Sequence, residues 1–148
     1  MALREQLAHD LKDAMRAKDK LRLSAIRLLQ TAITEKEKSG SGPPSEDELV
    51  AIVQKQAKQR RDSIAQYSEA GRDDLAQREA DELAIIEQYL PPQLSDEDIY
   101  QAVQEIVQRT GATSMKDMGR VMGEAMSALR GQADGKRVQT VVRALLNA

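Results

Sequence analysis

Enzyme chemistry usually starts from a nucleophile held against a base, or from a metal held by imidazole, thiolate and carboxylate groups. This chain of 148 residues has one histidine, His9, and no cysteine. His9 falls in a helical pattern and reads as a surface or boundary residue, with no nucleophile set beside it. One histidine without cysteine leaves carboxylates as the main metal ligands. The two acidic clusters, Glu46-Asp-Glu48 and Asp96-Glu-Asp98, sit at helix starts, where the helix dipole already accounts for them. No glycine-rich phosphate loop of the strand-to-helix kind is present. The residues therefore predict no catalytic site, no metal and no cofactor.

Charge says more. The chain carries 22 Lys and Arg against 24 Asp and Glu, a net charge of −2, so it has no overall preference for a polyanion. The signs separate locally. From Arg109 onward, Arg109, Lys116, Arg120, Arg130, Lys136, Arg137 and Arg143 stand against Asp117, Glu124 and Asp134. A local cationic surface is the footprint of phosphate binding. Within that stretch Met118-Gly-Arg-Val-Met-Gly123 puts Gly119 and Gly123 about one turn apart on a helix. Each costs about 0.5–1 kcal/mol relative to alanine, so something should offset them. The simpler account is a neighbouring helix packed close; the alternative is a sugar-phosphate backbone pressed against the face. Met118, Met122 and Met126 read as core filler. The loop Gly131-Gln-Ala-Asp-Gly-Lys136 leads into a last helix, whose free N–H groups suit an anion, with Arg130, Lys136 and Arg137 to help. A second basic stripe, Lys55, Lys58, Arg61 and Arg72, reads as a solvated face. With no Phe, no Trp and three Tyr, stacking on single-stranded bases is disfavoured. Any nucleic acid bound should be folded or double-stranded, read by shape and phosphates.

Helices must position these residues. Ala, Leu, Gln, Glu, Lys and Arg dominate, and no stretch has the period-two pattern of strands. Leu3, Leu7, Leu11 and Met15 predict one face of a first helix. Asp19 caps a second, with Leu21, Ala25, Leu28, Leu29, Ala32 and Ile33 on its apolar side. Ser39-Gly-Ser-Gly-Pro-Pro44 is a flexible break. Ser45-Glu-Asp-Glu48 is a capping box for a long third helix with Leu49, Ile52, Val53, Ala57, Ile64 and Tyr67 inward, ending near Gly71. A fourth runs from Asp73 to Leu90, where Pro91-Pro92 must stop it. Ser95 opens a fifth, Ser114 a sixth and Asp134 a seventh. The expectation is an all-α protein: an N-terminal four-helix domain over residues 1–92, then a small C-terminal three-helix domain over residues 93–148. Early charge in Met1-Ala-Leu-Arg-Glu gives no secretory core, and no apolar run approaches the roughly 20 residues that span a bilayer. Together with the missing cysteines, these features predict a cytoplasmic protein with no membrane partner.

The runs Lys58-Gln-Arg-Arg-Asp-Ser-Ile-Ala-Gln-Tyr67, Gly71-Arg72 and Glu82-Leu-Ala-Ile-Ile-Glu-Gln-Tyr-Leu-Pro-Pro-Gln-Leu94, with Met118-Gly-Arg-Val-Met-Gly123 and Ala133-Asp-Gly-Lys136, resemble the GatB/YqeY family over essentially the whole chain. The resemblance implies two helical domains. It also implies kinship with the tail of the GatB component of the glutamine-dependent aspartyl/glutamyl-tRNA amidotransferase, which contacts tRNA while other domains transfer the amide. On that resemblance Gly119, Gly123, Asp134, Gly135 and Lys136, with Arg120 and Arg137 beside them, are the expected tRNA contacts, and Arg130 joins them by its charge. An aminoacyl-tRNA synthetase or an amidotransferase is the expected protein partner. Two other readings stand beside it: a protein–protein adaptor using apolar helix faces or the 39–44 loop, and a carbon–nitrogen ligase with glutamine as amide donor by family association. For the last, the purified chain should release no glutamate from glutamine in a coupled assay; steady release at enzyme-like turnover would mean that a catalytic group has been overlooked.

Overall fold

The computed structural model describes residues 2–147; Met1 and Ala148 lie outside them. The described residues form helices joined by turns: α1 (Leu3–Ala17), α2 (Lys20–Lys36), α3 (Glu46–Glu69), α4 (Asp73–Glu87), α5 (Asp96–Thr110), α6 (Met118–Ala128) and α7 (Gly135–Asn147). The chain falls into two compact units, Met1–Leu90 and Pro91–Ala148. Each has its own apolar core. Among the described residues no helix is long and apolar enough to cross a membrane.

In the first unit the helix starts follow the predicted caps. Asp19 accepts the Arg22 N–H at 3.1 Å, and the Ser45 hydroxyl accepts the Glu48 N–H at 3.2 Å. The Glu48 carboxylate in turn accepts the Ser45 hydroxyl at 3.3 Å. Helix α3 ends at Gly71, whose φ of 71° is left-handed, and the Arg72 N–H reaches back to the Tyr67 carbonyl at 2.8 Å. The core gathers Leu7, Ile26, Leu29, Leu49, Val53 and Ile86, all essentially sealed from solvent. Two expected core residues are instead outside: Met15 is 53% and Leu21 38% exposed. A four-residue repeat drifts about 40° per step on a helix of 3.6 residues per turn. By Met15 the row has left the core, and Ala14 fills its place with no exposed surface. On α2 the buried side passes through Ile26, one position away from the expected stripe.

Helix α4 stops at Glu87 rather than Leu90. Proline disfavours helical geometry in the residue before it, and the last turn tightens to three-residue bonds from Gln88, Tyr89 and Leu90 to the carbonyls of Ile85, Ile86 and Glu87. Tightening turns Tyr89 inward. Its hydroxyl donates to Asp10 Oδ2 at 2.6 Å, tying the end of α4 to α1. Burial, and then the Asp10 carboxylate, push the Tyr89 hydroxyl far above its ordinary range, so it stays a donor at any physiological pH. Nearby, Arg60 lies between Glu79 at 3.6 Å and Glu82 at 3.4 Å, joining α3 to α4 through a largely buried charge cluster.

The second unit packs α5, α6 and α7 around Ile99, Val103, Val121, Ala125, Val138 and Val142. Ser95 and Asp98 form a reciprocal capping box at the start of α5, and Gly111 ends that helix with φ 69°. Ser114 caps a single 3-10 turn, Met115–Asp117, so α6 begins three residues later than its cap suggested. Met118, Met122 and Met126 pack partly buried against the core, as expected of filler.

Tyr89→Phe removes a hydrogen bond to a charged acceptor without changing volume. It should lower the stability of the first unit by about 1–2 kcal/mol, measured by urea unfolding. An unchanged midpoint would show that the bond is not formed in solution.

Candidate functional site

Two sequence motifs that are far apart in the chain meet in the second unit. Gln93 donates its side-chain amide to the Gly131 carbonyl at 2.7 Å and to the Pro91 carbonyl at 2.8 Å. The Leu94 N–H donates to the Gln132 carbonyl at 2.9 Å. Arg137 Nη2 donates to the Leu94 carbonyl at 3.2 Å, and Arg137 Nε and Nη2 both reach Asp96 Oδ1, at 3.0 and 2.6 Å. The Pro-Pro-Gln-Leu segment is thus laced onto the Gly131–Arg137 turn. This is the main use of Arg137: among the expected RNA contacts, it points to the start of α5 and is engaged there. The sequence offers Gln93 only as part of a motif and Asp96 only as a helix-start acid, because only folding brings them to position 131 and position 137.

The other expected residues are differently placed. Gly119 and Gly123 are exposed on α6, and a Cβ on either would meet nothing within 4 Å. A closely packed neighbouring helix, the simpler account of these glycines, is therefore ruled out. Arg120 is exposed on the next ridge and pairs with Asp117 at 3.2 Å. Arg130 is exposed in the turn after α6. Gly135 is the first residue of α7, and a Cβ there would stand 3.6 Å from the Met126 methyl, an ordinary contact. Lys136 is exposed, and its ammonium has no ion-pair partner among the described residues.

Helices α6 and α7 run antiparallel, since Gly135 lies by Met126 near the end of α6 while α7 also packs on the 3-10 turn where α6 begins. Gly119, Gly123 and Met126 lie on one side of α6, and α7 meets that side where Gly135 adjoins Met126. Gly119 is about 10 Å along α6 from Met126, and Arg143 about 12 Å along α7 from Gly135. Arg143 is exposed at about the height of Gly119, turned about 80° around α7 from Gly135. Lys136 and Arg143, seven residues apart, lie within about 20° of each other around α7. That spacing alone could have paired Arg143 with Lys136 in the sequence. An open glycine surface on α6 and the exposed cations Lys136 and Arg143 on α7 are groups that suit a phosphate backbone.

Electrostatics at the start of α6 depend on Asp117. Backbone N–H groups of Thr113 at 3.0 Å and Ser114 at 3.4 Å, with Arg120 adding attraction, hold its carboxyl below the ordinary range. A lowered folded value means that this support is complete above the unfolded value and is lost as pH falls through the folded one. Of the basic stripe read as a solvated face, Arg61 pairs with Glu87 at 3.2 Å, and Arg72 lies beyond α3, forked onto Asp74. Among the described residues the grouping with metal-ligand atom types is His9, Asp10 and Asp13. Asp10 is already taken by Tyr89, and His9 Nε2 sits 3.3 Å from Asp13 Oδ2 one turn along α1, so a local contact on one helix accounts for the grouping. A groove between α1 and α2 is crossed by the Arg4–Glu37 pair.

Because both glycines are helical and surrounded by open space, Gly119→Ala with Gly123→Ala should stabilise the second unit by about 1–2 kcal/mol. Thermal unfolding followed by circular dichroism reads this directly. A lower midpoint would mean that the space around them is filled.

Comparison with known proteins covers nearly the whole chain. The YqeY family model, described as Yqey-like protein, matches residues 4–146. The protein of Pyrenophora tritici-repentis named altered inheritance of mitochondria protein 41, mitochondrial, is 31% identical over 146 residues, covering 94% of this chain and 80% of that protein. The protein of the same name from Vanderwaltozyma polyspora is 34% identical over 119 residues, 76% of this chain and 64% of its own. That from Clavispora lusitaniae is 40% identical over 100 residues, 66% of this chain and 58% of its own. Matched from its first helix to its last, this chain belongs to the YqeY-like protein family.

Proposed function

We propose that the chain is a helical docking module for folded RNA of the tRNA kind, bound along the α6–α7 face of its C-terminal unit, with no catalytic site of its own. One observation carries this reading: Gly119 and Gly123 weaken α6 yet touch nothing. A sugar-phosphate backbone lying on that ridge is what offsets their cost. Lys136 and Arg143 on the adjoining helix supply cations with no ion-pair partner among the described residues. The resemblance to the tail of the amidotransferase GatB component supports tRNA as the RNA, and a synthetase or amidotransferase as the protein that shares it. The two compact units support a division into separate domains near residues 92 and 93, with four helices and three. The missing cysteines favour the cytoplasm; the relatives named as mitochondrial make the mitochondrion the competing compartment, and imaging of a tagged chain decides between them.

A protein adaptor is the second reading. Exposed Met15 and Leu21 on either side of the α1–α2 turn support it. Carbon–nitrogen ligase activity is the third, and it has only the family association behind it.

Lys136→Glu with Arg143→Glu should weaken binding of unfractionated tRNA at least tenfold in a filter-binding titration while helicity stays unchanged. Wild-type affinity should fall steeply with salt. Equal affinity of the double variant, or a flat salt response, would remove this face from consideration. Gly119→Ala with Gly123→Ala should also weaken binding although it stabilises the fold.

A further inference from the structure

The contact between Asp96 and Arg137 is built for exchange. Nε and Nη2 of Arg137 converge on a single oxygen, Asp96 Oδ1, at 3.0 and 2.6 Å. The Asp96 side chain is 85% exposed and that of Arg137 40%. Pairs so open to water contribute little to stability. Asp96 is also the first residue of α5, where the helix dipole favours a carboxylate with or without an arginine. The tether that keeps the guanidinium in place is a different one: the Leu94 carbonyl, fixed in turn by the Leu94 N–H on Gln132. Asp96 can therefore let go while Arg137 stays aimed.

We infer that Asp96 stands in for an RNA phosphate at Arg137. In the free protein the carboxylate occupies the guanidinium; in the complex a phosphate oxygen takes its place. The inference rests on the RNA-binding reading and gives Arg137 a role within it. A free phosphate ion competes poorly with a carboxylate already at hand. A polyanion anchored on the adjacent Lys136 presents its next phosphate at a high effective concentration and wins. Ser95 and the Asp98 carboxylate hold each other in the capping box, so Asp98 cannot follow Asp96 onto the arginine. Removing Asp96 frees one more cation and deletes one repulsive charge, and both effects favour RNA.

The test is a filter-binding titration of the full chain with unfractionated tRNA across a salt series. It compares the wild type with Asp96→Asn, Glu97→Gln and Lys136→Glu. Glu97→Gln removes the same charge from the same turn, and no contact to Arg137 is lost with it. Asp96→Asn should bind about three- to tenfold more tightly near about 0.1 M salt, with a log–log salt slope steeper by about one. Glu97→Gln should change affinity less than about twofold. If Asp96→Asn behaves like Glu97→Gln, or binds more weakly with a lowered unfolding midpoint, the exchange is overturned and the pair is a structural brace. In that case a loss of binding in Lys136→Glu would leave the RNA-binding reading standing. If the wild type does not bind and Lys136→Glu changes nothing, both fall together.

Discussion

Two consecutive prolines deprive the chain of two backbone donors at positions 91 and 92, and the second unit depends on how that segment is satisfied. Helix α4 cannot run through it. The segment that follows is instead fastened to the turn before α7: the Gln93 side chain on Gly131, the Leu94 N–H on Gln132, and Arg137 back on the Leu94 carbonyl. This lacing sets where the second unit begins and fixes the first turn of α7. Gly131, with φ 78°, and the buried Ala133 let the turn come close enough to accept it. The same lacing holds Arg137 against Leu94 and Asp96 at the start of α5, while its neighbour Lys136 stands exposed.

Much of the architecture was legible in the sequence because its signals are local. Caps at Asp19, Ser45, Ser95 and Ser114, and left-handed glycines at 71 and 111, act within one helical turn, and each one marks a boundary seen in the structure. The misreadings have equally local causes. Met15 is carried outward by the drift of a four-residue repeat, and α4 loses its last three residues to the restriction before proline. The meeting of the two motifs was not legible. Gln93 and Gly131 are 38 positions apart, and no local spacing encodes their bond.

The candidate face was legible in part. The glycine pair and the cationic stretch were visible, but whether the glycines were buried or open is a tertiary fact. Because they are open, no packing inside the protein compensates for them. A helix that carries two unpacked glycines gives up stability that alanine would return, and natural sequences tend to keep such losses where function needs them. In the second unit, stability and proposed function therefore oppose each other at the same two residues. In the first unit charges along α3 and at the start of α4 are engaged within the fold. There Arg61 pairs with Glu87 and Arg72 with Asp74, and the largely buried Arg60 sits between two carboxylates.

The central claim is that folded RNA lies on the α6–α7 ridge. A nitrogen–proton correlation spectrum of the isotope-labelled chain, titrated with tRNA, tests it residue by residue. The amides of Gly119, Gly123, Lys136, Gln139 and Arg143 should shift or broaden first, while those of α1 to α4 hold still. Perturbations confined to α1–α4, or no response at saturating RNA, would contradict it.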